Sequence, residues 1–296
     1  MAVSFAIDPA LLSLRNGDRP VMIPRNVIVD AGTVIANQTA RFTSPDQSNA
    51  SYPAINLYDL TRRTQWRSGV SALTMYILVD AGVGKQLTAS CLIVEGDDGL
   101  YAGRTVSVRV GDTLDGTGRI TVPFVLSPTS FVGPATRAVD LWDREYRGRY
   151  WEIGITAGVA NIMRLRQCWL GLQKFLPHNS RVPYDEDERY GSSTDVRATS
   201  GGRTRIEWFR GLARHKFEFW MNNSEVGINA TQQVRDTYDD SDGFHTPIWY
   251  IEEPRTAPNT TSSPCFLDED FLDLPSQLAA DKLWTGVFEE DGPHID

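Results

Sequence analysis

A mainly β protein, built as a sandwich or barrel, is what this sequence predicts, and two features of residues 70–126 carry the prediction. Apolar runs follow one another there, "SALTMYILVDAG", "QLTASCLIVEGDDG", "RTVSVRVGD" and "GRITVPFVLSP", each rich in Val, Ile, Thr or Leu and each bounded by Gly, Asp or Pro. Within them "TVSVRV" alternates without a break, with Val106, Val108 and Val110 on one face and Thr105, Ser107 and Arg109 on the other, which is the pattern of a half-buried strand.

The remaining elements follow in chain order. Residues 1–40 read as an N-terminal arm or a first strand pair, punctuated by Pro and Asn, with two short β-like pieces, "RPVMI" and "NVIVDAG". Residues 41–69 are polar and loop-like, and "NLYDLTRRTQWRSG" sets Trp66 among Arg and Thr with no apolar period around it. Such a Trp either packs beneath its loop with a partner for its N–H or stands exposed as a binding surface. After the first runs come "RYWEIGITAG", in which Trp151, Ile153 and Ile155 share a face, and "NIMRLRQCWLGLQKFLP", both read as strands. The sandwich therefore spans 41–176.

Residues 177–202, including "DEDE" at 185–188, lack an apolar face and read as a long exposed loop. The last segment, 203–296, reads as α+β: strand patterning with Phe217, Phe219 and Met221 on one face, a helix over 223–240, a strand in "HTPIWYIEEP", a short helix in "PSQLAADKLW" and a final strand in "WTGVFEED".

Composition narrows the function. With 296 residues, 41% of them hydrophobic, the chain is long enough for a substantial core. Its formal net charge of -9 argues against a nucleic-acid partner, whose phosphates require excess positive charge. No stretch approaches the ~20 apolar residues of a membrane span, and the N-terminus lacks a secretory pattern, so synthesis in a cytoplasm is expected. Cys91, Cys168 and Cys265 have no C-x-x-C spacing; Cys91 and Cys168 lie in apolar runs and read as buried thiols.

Candidate chemical motifs fail on spacing. "GVGK" at 82–85 lacks the earlier Gly and the following Ser or Thr of a phosphate loop and reads as a tight turn. "YDDSDG" at 238–243 puts Tyr238 and Trp249 where a calcium loop needs carboxylates. "DEDE" supplies four adjacent acids rather than two carboxyls facing across a cleft. His178, His215, His245 and His294 show no metal or nucleophile pattern, so no enzyme and no cofactor is expected. The block 203–220 interleaves Arg203 and Arg205 with aromatics, which favours core or a protein interface over a nucleic-acid groove.

"NLYDLTRRTQWRSG" before a series of strands, then "RYWEIGITAG" and "NIMRLRQCWLG", resembles the galactose-binding-like (discoidin-type) jelly roll. That resemblance implies a structural role for Trp66, packed beneath its loop, with Trp151 also in the core. The order "KFLPHN", "SGGRTRIEW", "HKFEFWMNNSE", a helix, "PIWYIEEP" and "GVFEED" is similar to tail-tip proteins of tailed bacteriophages over about residues 40–290. The N-terminal extension and the insertion 254–275 depart from that pattern. This second resemblance implies a non-enzymatic virion protein of the distal tail or baseplate type, made in the host cytoplasm and located in the virion tail. It would form a homo-oligomeric ring, a hexamer in the family, that meets other tail proteins and joins the tail tube to the adhesion apparatus.

Phe266, Leu267, Phe271 and Leu272, in the acidic segment 262–277, would either dock on a neighbouring subunit or fold back on their own domain, with Arg203 and Arg205 as further interface residues. The alternative function is a carbohydrate-binding module for host-surface recognition, in which Trp142 or Tyr146 would be the exposed aromatic that meets the sugar. A third class is an accessory domain of an enzyme encoded elsewhere.

Overall fold

The alternation in "TVSVRV" becomes a strand of one sheet in a two-sheet sandwich. The computed structural model describes residues 21–59, 64–96, 105–114, 117–122, 137–175, 185–188, 213–222, 236–237, 239–241, 246–251, 262–267 and 281–290. They fall into two units, Met1–Phe175 with Tyr250–Ser262, and Leu176–Trp249 with Ser263–Asp296.

The first unit holds strands β1 (Val21–Ile23), β2 (Thr33–Asn37), β3 (Trp66–Arg67), β4 (Ala72–Asp80), β5 (Leu87–Gly96), β6 (Thr105–Gly111), β7 (Ile120–Val122), β8 (Arg137–Gly148), β9 (Tyr150–Asn161), β10 (Arg164–Gly171) and β11 (Lys174–Phe175). One antiparallel sheet has the order β2-β4-β9-β6-β7 and the other β3-β10-β5-β8. From β2 to β6 each strand lies in the opposite sheet from the one before, and the same crossing recurs from β7 to β10, as in a jelly roll. The turn at 82–85 joins β4 to β5; Gly82 (φ 98°) and Gly84 (φ 74°) supply its left-handed positions.

Between the sheets lie Val106, Val108 and Val110 with Met75, Ile77, Val79, Trp151, Ile153 and Ile155 from one side, and Trp66, Leu92, Val94, Leu165, Cys168 and Leu170 from the other. Trp142 of β8 stacks on Trp151 of β9 at 6.0 Å with 14° between the rings, which ties the two sheets through their largest side chains. Burial pushes the Cys168 thiol up to about 12 and raises that of Cys91, so both are inert core groups.

Several expectations change. The arm assigned to 1–40 does not extend to its C-terminal half, because β2 pairs with β4 over Thr33↔Asp80 to Asn37↔Tyr76 and β1 pairs with β11. Within "NVIVDAG", Val27–Asp30 is a 3-10 helix rather than a strand, since Asn26 Oδ1 accepts from Ile28 N and caps it. The same Asn26 also accepts from Leu170 N (3.2 Å) and donates to Cys168 O (3.0 Å), clipping the segment to β10. Ile23 fills the place that a Cβ on Gly171 would take.

The second unit contains β12 (Asp185–Glu188), β13 (Ala213–Asn222), β15 (Ser262–Leu267, the unit beginning at Ser263) and β16 (Asp281–Glu290); the division between units falls within β14 (Ile248–Ile251). β13 pairs with β16 from Arg214↔Glu289 to Asn222↔Asp281. "DEDE", expected in an exposed loop, is a strand instead, with Asp185 opposite Lys216, Glu186 opposite His215 and Asp187 opposite Arg214. Asp281–Trp284, expected at the end of a short helix, belongs to β16. Of the helix expected over 223–240, residues 236–237 and 239–240 are helical, and 223–235 and 238 lie outside the described residues.

Candidate functional site

Strand parity leaves the sandwich with two outward faces, and they differ. On the four-stranded sheet the outward residues Ile93, Val139, Leu141 and Trp169 are all buried, as are Val21, Met22 and Ile23 of β1. On the five-stranded sheet the outward positions are mixed: Ile35 and Leu78 are apolar, Asn37, Leu78, Gly154 and Glu152 are buried, and the hydroxyl-bearing positions reach solvent. The outward positions form cross-strand rows: Thr74, Thr156 and Thr105; then Asn37, Tyr76, Gly154 and Ser107; then Ile35, Leu78, Glu152, Arg109 and Thr121. Thr105, Ser107 and Thr121 are exposed, and Thr74, Tyr76, Thr156 and Arg109 are half-buried.

Gly154 shapes the centre of this face. A Cβ there would lie 3.1 Å from Tyr76 Cε1, 3.2 Å from Tyr76 Cδ1 and 2.8 Å from Ser107 Oγ. The missing side chain lets one edge of the Tyr76 ring settle over β9, with the Ser107 hydroxyl on the other side, as aromatics commonly cover glycines in sheets. The hydroxyls of Thr74 and Thr156 are hydrogen-bonded to each other at 2.9 Å in the adjoining row. Beyond them β9 bulges: Thr156 and Asn161 oppose Thr74 and Ala72, so four residues of β9 face one of β4. The bulge carries Val159, which is 75% exposed.

Charge in the next row is neutralised internally. Glu152 is 4% exposed and receives Arg119 Nη1 at 2.7 Å and Arg109 Nη1 at 3.4 Å. Arg119 also donates to Thr113 O (Nε, 3.1 Å) and Leu114 O (Nη2, 2.7 Å) and covers the Phe42 ring at 4.9 Å. This pair holds the β6–β7 turn on the sheet. Among the described residues no group of three His, Cys, Asp or Glu side chains is placed to hold a metal ion.

At the far end of β4, Arg149 clasps Asp80 through Nε (2.7 Å) and Nη2 (3.1 Å), and Gly82 N donates to Asp80 Oδ1 at 2.8 Å. Burial pushes the Asp80 carboxyl up, but hydrogen bonds from Arg149 and Gly82 and the Arg149 charge outweigh it and hold the group below its usual range. A carboxyl depressed in the folded state stabilises the protein above its unfolded pKa, and that contribution is lost as pH falls through the folded value. Asp80→Asn should therefore lower Tm by about 2 to 4 °C at neutral pH. The deficit should shrink below about pH 4. Thermal melts from pH 7 to 3 check this, and a deficit unchanged across the range would refute it.

The side chains singled out from sequence are scattered. Trp66 and Trp151 are both 0% exposed. Trp142 and Tyr146, expected as exposed sugar contacts, are 2% and 3% exposed and pack edge to face at 5.5 Å, so neither ring can meet a ligand. Trp142 Nε1 is satisfied by Asp140 Oδ2 at 2.6 Å, which is why it can sit in the core. Phe266 and Leu267, expected either to dock on a neighbour or to fold back on their own domain, stand in β15 opposite Glu289 and Phe288 of the chain's own β16. Phe271, Leu272, Arg203 and Arg205 lie outside the described residues. Tyr76, Thr74 and Thr156 were not singled out. Their signal was the parity of "LTMYIL", where Thr74 and Tyr76 alternate with the core residues Met75 and Ile77.

No protein-family model matches the chain, and no curated protein does. Solved structures with partial likeness include chitosan-binding module 1 of a chitosanase/glucanase from Paenibacillus sp. IK-5 (17% identity, 50% of this chain and 98% of that one, TM-score 0.37). Another is CBM32-1 from a family 31 glycoside hydrolase of Clostridium perfringens (16% identity, 50% of this chain and 96% of that one, TM-score 0.35). A third is a GH29 fucosidase of Ruminococcus gnavus in complex with fucose (13% identity, 50% of this chain, TM-score 0.37), of whose chain only 26% is covered.

Proposed function

We infer that this chain is a non-catalytic recognition protein whose sandwich holds carbohydrate on the outer face of its five-stranded sheet. The observation that carries the reading is the Tyr76 ring held over Gly154 among the hydroxyls of Thr74, Thr156 and Ser107. A sugar offers weakly polar C–H faces and a rim of hydroxyls. An aromatic ring takes the first, and Ser and Thr hydroxyls, which donate and accept, take the second. Strands hold both more firmly than loops would. The reading rests on these side chains and not on likeness to any other protein. Folded protein on a glycan array should bind at least one carbohydrate, and Tyr76→Ala should weaken that binding about tenfold, or about 1.4 kcal/mol. Binding to no glycan would refute the reading.

A second reading, a virion protein of the distal tail or baseplate type, is favoured by the order of sequence segments from "KFLPHN" to "GVFEED". In it the protein is made in the host cytoplasm, assembles as a ring with other tail proteins and turns its sugar-binding face to the host surface. Mass spectrometry of purified virions tests it: absence of the chain from the tail removes this reading and leaves the first intact.

A further inference from the structure

Building on the carbohydrate reading, we propose that the ligand is the interior of an extended, uncharged polysaccharide lying across the strands, rather than a terminal sugar. A terminal sugar is recognised by a pocket that encloses it on several sides. The polar side chains here are instead spread in register over four strands. Tyr76 of β4, the dip at Gly154 of β9, Ser107 of β6 and, one row on, Thr121 of β7 follow one another along the hydrogen-bonding direction.

Three strand spacings separate β4 from β7, a span of about 14 Å. That length exceeds a single pyranose ring and suits several linked ones. Along the row itself the exposed or half-exposed side chains are a phenol and hydroxyls, with a guanidinium one row on; the exposed apolar side chains of these strands stand off it, Leu73 and Ile120 near the strand starts and Val159 on the β9 bulge, and the exposed Val83 lies in the β4–β5 turn at the opposite end of β4 from Thr74. A protein partner would want apolar anchors on such a face. Charge decides the polymer's character: the chain's net charge of -9 repels a polyanion, and the carboxylate in the middle of the face is already neutralised by Arg119.

Affinity electrophoresis of the full chain in gels containing neutral β-glucan, mannan, xylan or galactan, followed by calorimetry with the oligosaccharide ladder of whichever polymer retards it, tests the proposal. Affinity should rise by at least about tenfold from mono- to tetrasaccharide. Ser107→Arg, a bulky change at an exposed site, should abolish retardation with Tm unchanged, while Val83→Ser should leave retardation as it was. Equal affinity for mono- and tetrasaccharide, or retention of binding in Ser107→Arg, would overturn the extended-chain proposal while the carbohydrate reading stands. Retardation only by anionic polymers would overturn the uncharged class. Binding to no carbohydrate in either assay would overturn both.

Discussion

Arg119→Met is expected to destabilise the protein by about 3 to 5 kcal/mol, because it leaves the Glu152 carboxylate buried with only the more distant Arg109 for compensation. The Arg119 side chain is fully buried and Glu152 nearly so, at 2.7 Å. Arg109, at 3.4 Å and 39% exposed, is a weaker counter-ion. The two carbonyls that Arg119 satisfies, Thr113 O and Leu114 O, also lose a donor. The Tm should fall by roughly 10 °C. Adding Glu152→Gln to Arg119→Met should recover part of the loss, since the uncompensated charge is its main source. Thermal melts of both single variants and the double variant measure the coupling. A fall below about 1 kcal/mol in Arg119→Met, or strict additivity in the double variant, would show that the pair is not what holds this part of the sheet.

Trp66→Ala should cost a similar amount, about 3 to 5 kcal/mol, by emptying the largest side-chain volume at its end of the core. Trp66 is 0% exposed, pairs with Leu165 across β3 and β10, and donates from Nε1 to Ser48 Oγ at 2.8 Å. Ser48 in turn bridges to Ser68, whose hydroxyl receives Met163 N, so one indole anchors three loops. Trp66→Phe keeps most of the volume and removes the donor; it should cost about 1 kcal/mol. Denaturant titration of both variants separates packing from hydrogen bonding. An unaltered midpoint in Trp66→Ala would sink the structural role.

Much of the sandwich was legible because burial there follows parity. β6 reads exposed-buried-exposed-buried over Thr105–Val108, as Val and Ser alternate in its sequence, and β4 and β5 fall where apolar runs end at Asp and Gly. β8 was not legible. "RAVDLWDREYRG" carries six charged residues, and its buried Trp142 donates to the buried Asp140, while Arg137 reaches Glu95 of β5 at 3.2 Å. Its aromatics Trp142 and Tyr146, expected as exposed sugar contacts, are buried. The candidate site was half legible: Ser107 and Arg109 stood on the polar side of "TVSVRV", but nothing local marks Tyr76 as the ring that covers Gly154, its cross-strand neighbour 78 residues away.

By itself, then, the sequence determined the mainly β class, the strands whose apolar residues alternate, the turn at 82–85 and the burial of Cys91 and Cys168. These depend on side-chain period and on backbone freedom, which are properties of a few adjacent residues. The tertiary structure alone decided that Glu152, Asp140 and Glu95 are buried, that "DEDE" is a strand, and that one sheet face is covered while the other presents hydroxyls around an aromatic ring. A charge or a polar strand can be ordered only when its partner arrives, and the partners here come from distant strands: Arg119 lies 33 residues from Glu152, and Arg137 lies 42 from Glu95.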